Sequence, residues 1–99
     1  MNISIIKNEE KTILALSGKL DTITSSKLQE ILISELGSEK HVELDFSDLS
    51  YVTSAGLRIL LMGEKIAKAQ NSRQTLVNVS SEVMAIFEMT GFNSVLNFE

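Results

Sequence analysis

Between His41 and Leu61 the apolar residues change their period, and that change constrains the fold more than any other feature of the chain. Val42, Leu44 and Phe46 alternate with His41, Glu43 and Asp45, the period-two signature of a strand with one face against a core. From Leu57 onward the apolar positions Leu57, Leu60 and Leu61, with Ala67 further on, keep helical spacing. Arg58, Glu64, Lys65 and Lys68 fall on the opposite, wet side. Residues 47 to 53 read as the loop between the two, and Ser54 reads as the N-cap of a helix running to about Ala69. Gly56 leaves the first turn of that helix bare of side-chain bulk, so that a partner could approach the backbone closely. A further strand follows at Gln74 to Val79, and strands joined through a helix are parallel with a right-handed crossover.

The flanking segments extend this unit. Ile3, Ile5 and Ile6 mark a short strand over residues 3 to 7, Asn8 to Lys11 a polar turn, and Thr12 to Ser17 a second strand, most simply an antiparallel hairpin. The chain then leaves the strand at Gly18 to Asp21, and Thr22 to Ser26 is a hydroxyl-rich loop. Ser26 with Gln29 forms a capping box for a helix carrying Leu28, Ile31, Leu32 and Leu36, stopped by Gly37. Ser80 or Ser81 caps a third helix with Val83, Ile86 and Phe87 inside, ended by Gly91, and Val95 to Phe98 forms a last short strand. The expected fold class is α/β: one mixed, mostly parallel open sheet of four to five strands, three helices, and an antiparallel N-terminal strand, all in a single domain over residues 1–99. In that topology three loops, after Ser17, Phe46 and Val79, leave the same end of the sheet, where ligands of open α/β sheets usually bind. Asp21 and Ser54 then share one surface.

Several function classes are excluded by composition. A net charge of −4, with no cluster of Lys or Arg, gives no basic face for nucleic acid. No cysteine is present, which removes disulfides, thiolate chemistry and cysteine-ligated zinc. The longest apolar run, Leu57 to Met62, is interrupted by Arg58 and falls far short of a membrane span. The start of the chain carries no basic, then apolar, signal pattern, so the expected location is the cytoplasm, with no direct membrane contact.

Ser54 is not placed as a catalytic nucleophile. Val52 stands where a hydrolase elbow needs glycine, and His41 lies at the start of its strand, predicted to be a surface residue at the opposite end from Ser54. Asp45 and Asp48 have no ligand partner at metal spacing, and no Gly-rich phosphate loop precedes a Lys-Ser/Thr pair. Met84, Phe87 and Met89 are expected to pack, not to hold a cofactor, and no cofactor is expected. What remains is a serine at a helix N-terminus on an exposed sheet end. Phosphate added there is tolerated by the free N–H groups and the helix dipole, yet brings about two negative charges to a surface on which a partner could dock.

Residues Leu44 to Leu57 (LDFSDLSYVTSAGL), the turn Gly18-Lys19-Leu20-Asp21 and the segment Val83 to Phe92 together resemble the STAS-domain anti-sigma factor antagonists, bacterial proteins of partner-switching systems. The resemblance implies a STAS-like fold and a protein without catalytic activity, which binds an anti-sigma factor serine kinase and is released when that kinase phosphorylates it. A phosphatase then restores binding. It further implies Ser54 as phosphoacceptor, with Thr53 a second hydroxyl, and Asp21, Thr22, Thr53, Ser54, Ala55, Gly56 and Arg58 as the partner-binding residues. The chain departs from the pattern at Thr53, where the family usually has aspartate. An alternative within the same resemblance is an unphosphorylated STAS scaffold, or a regulatory subunit on a lipid-transport ABC ATPase.

Overall fold

Alternation along the strands sorts side chains onto two unequal faces. Thr12, Leu14 and Leu16, Val42, Leu44 and Phe46, and Gln74 and Leu76 are all buried on one face. Ile13, Ala15, Glu43 and Asp45 are only half-covered on the other. The computed structural model describes residues 2–37 and 41–99. Its order is β1 (Asn2–Lys7), β2 (Lys11–Leu20), α1 (Thr22–Leu36), β3 (His41–Val52), α2 (Ser54–Ala69), β4 (Arg73–Val77), α3 (Ser81–Thr90) and a 3-10 turn at Phe92–Ser94. The sheet runs β1-β2-β3-β4, with β1 antiparallel to β2 and the remaining pairs parallel. The expected α/β class, antiparallel first strand and three helices are all present.

Three contacts place the helices on the same face. Thr12 Oγ1 donates to Glu35 Oε1 of α1 at 2.7 Å, and Gln74 Nε2 donates to the Leu60 carbonyl of α2 at 2.9 Å. The Phe87 ring of α3 lies 6.2 Å from that of Phe46. Leu28, Leu32 and Leu36 of α1 and Leu57, Leu60 and Ala67 of α2 complete a core held between one sheet face and one helix layer. Among the described residues no helix is long and apolar enough to cross a membrane.

Differences from the sequence reading sit at the strand–helix junctions. β3 does not end at Phe46 but continues to Val52, and β2 continues to Leu20. Two register shifts, between Ala15 and Ser17 and between Gly18 and Lys19, each absorb an extra residue on β3. Such bulges break the period of two, so Leu49 and Val52 point inward although three residues apart. Gly18, at φ 87°, sits beside the second bulge in a conformation that favours glycine. α1 begins at Thr22, not near Ser26, because Asp21 and Thr24 form the capping box. The β4 loop is not level with the others, since Val77 pairs with Asp45 while β3 runs on to Val52. Residues 95 to 98 form no strand beyond a single bridge, Leu76 to Phe98. Ser80 caps α3 and Gly91, at φ 80°, ends it, as the pattern indicated.

Close approach of α2 to β4 depends on Gly63, where an added Cβ would run into the Gln74 side chain. Gln74 is fully buried and tied to Leu60, so it has little room to yield. Gly63→Ala is therefore expected to lose about 1–3 kcal/mol in urea unfolding. In a Gln74→Ala background the loss should shrink, because the clashing atoms are gone.

Candidate functional site

Leu20 and Val52, the last residues of β2 and β3, are Cα partners and both buried, so the chain leaves the two strands side by side. The next residue on each strand caps a helix. Asp21 Oδ1 accepts from the Thr24 N–H at 3.0 Å and from Thr24 Oγ1 at 2.9 Å, and the Asp21 N–H donates to Thr24 Oγ1 at 2.8 Å. Those bonds, led by the Thr24 backbone N–H, hold the Asp21 carboxyl below its ordinary pKa of 3.8. Thr53 gives both its backbone N–H and its hydroxyl to the Leu20 carbonyl, each at 2.9 Å. Its Oγ1 accepts from the Gly56 N–H at 3.4 Å, and its own carbonyl accepts from Leu57 N–H at 2.9 Å. Thr53, not Ser54, is thus the N-cap of α2.

Ser54 is the first residue of α2 and is exposed. Among the described residues its hydroxyl has no hydrogen-bond partner. Thr22 occupies the equivalent first position of α1 and is exposed too, as is Arg58 one turn along α2, while Ala55 is half-buried. Gly56 differs from the expectation of an open turn. It is buried against the strand ends, where a Cβ would come within 2.9 Å of Leu20 Cγ and Val52 Cγ1. Packing accounts for that glycine, and the outward surface of the turn belongs to Ser54 and Arg58.

Two exposed apolar side chains at this end escaped the sequence reading. Ile23, in the first turn of α1, is 75% exposed, and Tyr51, paired with Lys19 near the strand ends, is 50% exposed. The segment of Ile23 read as a loop, and Tyr51 lies just past the second bulge, where alternation no longer indicates which way a residue points.

Other titratable candidates have local roles. Asp45 accepts from the Ser47 N–H at 3.0 Å and from Asn78 Nδ2 at 3.1 Å, and these bonds, the first above all, keep its carboxyl below the usual range. His41 lies at the far end of β3 from Ser54, half-buried instead of at the surface, with Nε2 2.9 Å from Thr75 Oγ1. Burial first, then the charges of Arg73 and Lys11, push its imidazole below its usual pKa, so it stays neutral near pH 7.

The family model described as "Mlab, STAS domain" matches residues 3–97 of the chain. The chain is 24% identical over 97 residues to the anti-sigma-B factor antagonist of Bacillus subtilis, covering 98% of this chain and 89% of that one. Its structure superposes on unphosphorylated SpoIIAA, an anti-sigma factor antagonist, with a TM-score of 0.83 at 19% identity, covering 99% and 88% of the two chains. The phosphorylated form of SpoIIAA, the Bacillus cell fate determinant, gives 0.77 at 18% identity, covering 99% and 91%.

The caps can be tested separately from any partner. Thr53→Ala should lose about 1–2 kcal/mol of unfolding free energy, while Thr53→Ser should retain most of it. The folded state binds the Asp21 proton less readily than the unfolded chain does. Its contribution is therefore present above about pH 3.8 and lost as pH falls through the lower folded value. The difference in melting temperature between wild type and Asp21→Asn should narrow over that acid interval.

Proposed function

The chain belongs to the STAS-domain family, and from that premise we propose that it is an anti-sigma factor antagonist. It binds an anti-sigma factor serine kinase through the end of the sheet where α1 and α2 begin, and phosphorylation of Ser54 releases it. The observation that carries this reading is the contrast between two neighbouring hydroxyls. That of Thr53 is engaged with the Leu20 carbonyl and the Gly56 N–H, whereas that of Ser54 is exposed and unpartnered among the described residues. A kinase can reach the second without undoing a helix cap. Thr22 and Ile23 at the start of α1, Tyr51 near the end of β3 and Arg58 on α2 are exposed at the same end of the sheet as Ser54, a mixture of apolar and polar groups of the kind found at protein interfaces. A dianion placed among them opposes docking by repulsion and by the cost of desolvating it. The chain itself carries out no reaction on this reading: the imidazole of His41, the usual partner for an activated serine, is separated from Ser54 by the whole of β3.

A second reading, a constitutive STAS subunit of a lipid-transport ABC ATPase, draws support from Thr53. A neutral residue stands where phosphorylated members usually carry aspartate, and the matching family model bears the description Mlab. Stable binding to such an ATPase, unchanged by Ser54→Ala, would favour it.

Incubation with a purified anti-sigma serine kinase from the same genome and ATP is expected to add one phosphate, located on Ser54 by mass spectrometry. Ser54→Ala should bind that kinase without release, and Ser54→Asp should bind about tenfold or more weakly, an energy difference of about 1.4 kcal/mol or more. Modification of neither Ser54 nor Thr53 would sink the switch. Equal affinity of the aspartate variant would remove charge as its cause.

A further inference from the structure

The two edges of the sheet are treated differently. At the β4 edge the C-terminal segment lies alongside: the Leu76 N–H donates to the Asn97 carbonyl and the Glu99 N–H to the Leu76 carbonyl, each at 2.9 Å. Asn97 Nδ2 is held by Glu64 Oε1 at 3.1 Å, and the Phe98 ring packs edge-on against Phe87 at 5.4 Å. At the other edge stands β1, paired residue for residue with β2 from Asn2 to Lys7, without a bulge, a proline or a glycine. Two of its three isoleucines are exposed, Ile5 to 48% and Ile6 to 58%. Regular, apolar edge strands with free backbone groups are the ones that take up another strand.

The hydrogen-bond phase of β1 fixes which groups are free. The Asn8 N–H donates to the Lys11 carbonyl at 3.0 Å, which makes Asn8 and Lys11 a bonded pair of the antiparallel ladder. Pairs alternate, so Ile6, Ser4 and Asn2 turn their backbone groups toward β2, while Ile3, Ile5 and Lys7 turn theirs outward. By the same register, Ile3, Ile5 and Lys7 carry their side chains on the helix face and Asn2, Ser4 and Ile6 on the open one.

We infer that a second copy of this chain pairs with this edge, β1 against β1 antiparallel about a two-fold axis through Ile5. Only a register that sets an outward-facing residue opposite another can form the ladder. Centring on Ile5 uses all three outward residues: Ile5 meets its own equivalent, and Ile3 meets Lys7 on both sides of the axis. Each bonded pair of an antiparallel ladder exchanges two bonds, giving about six backbone hydrogen bonds. Ile6 then lies across from Ser4 on the open face, and neither lysine faces the other, so the pairing has no like-charge contact on its own strands. The product is one continuous sheet with all helices on one side. Because the two copies of β2 run in opposite directions across the axis, the two Ser54 ends point away from each other and both stay accessible.

The interface is small, six residues a side against the ~20–30 of a standard one, so association is expected in the range of about 10 µM to 1 mM. Sedimentation equilibrium of the full chain across that range should show a monomer passing to a dimer. Amide exchange at Ile3, Ile5 and Lys7 should slow as concentration rises, while that at Ser4 and Ile6, already bonded to β2, should not change. Ile5→Pro removes an outward N–H but no bond to β2, and Ile5→Lys sets two charges on the axis. Both should shift the dimerisation midpoint up by tenfold or more, with circular dichroism melts confirming that the variants fold. A chain that stays monomeric to about 1 mM, a dimer indifferent to both substitutions, or unchanged exchange at Ile3 and Ile5 would overturn the pairing.

Discussion

Thr53 directs both of its donors at the carbonyl of Leu20, and the end of the sheet where α1 and α2 begin is built on that contact. A carbonyl oxygen has two lone pairs, so one peptide group can take both bonds without competition. The effect is to tie the last residue of β2 to the first turn of α2 at the point where β2 itself hands over to α1. Gly56 then presses onto Leu20 and Val52 from the helix side, closing the junction with apolar contact where the hydrogen bonds leave off. Two helices consequently start level with each other, and their first-turn N–H groups face the same region of surface. Asp21 supplies a fixed negative charge to one of these N-termini and Thr53 a neutral oxygen to the other.

How much of this could be read from the chain depends on whether local rules were left undisturbed. Leu28, Leu32 and Leu36 keep strict helical spacing and all face the core, and Val42, Leu44 and Phe46 keep strict alternation and do the same. Ser80 and Gly91 bound α3 through their own cap chemistry. Local rules do not suffice where a tertiary contact chooses between local options. The extra residues that β3 carries against β2 are bulges, and a bulge erases the alternation by which a strand is recognised. Asp21 and Thr24 make a capping box with threonine in the place where glutamate or glutamine is expected, so Ser26 and Gln29, a better match to the pattern, looked like the start of α1. Ser54 and Thr53 are both competent caps, and only the Leu20 carbonyl decides in favour of Thr53.

The C-terminal segment illustrates the same point with buried polar groups. Its last residues have the composition of a strand, but what holds them is Asn97 against the buried carboxylate of Glu64, together with the ring of Phe98 on Phe87. Glu64 belongs to α2 and appeared in the sequence as one of its wet residues. It is 4% exposed because Asn97, 33 residues away, covers and satisfies it. The i,i+4 pairing of Glu64 with Lys68, at 4.0 Å, follows from helical spacing, but the bonds from Asn97 do not, since no periodicity announces a partner that arrives from elsewhere in the fold.

Replacing the aspartate usual in the family by Thr53 bears on how a phosphate at the next position would act. On the proposed reading the added dianion lies at the N-terminus of α2, where the helix dipole favours it by about 0.3–1 kcal/mol. Asp21 opposes it from the adjacent strand end, through solvent that screens much of the repulsion. With a neutral residue at the cap, one carboxylate fewer stands against the phosphate, and the capping bonds do not depend on a charge that the phosphate would repel. On the proposed reading the modification would therefore leave the fold nearly unchanged. A docked partner is in a different position, because it would have to strip water from the dianion, and an ionised group without a compensating cation is costly to desolvate. On that reading the energy of modification would fall on the complex and not on the domain, so the domain could be phosphorylated and restored repeatedly without unfolding.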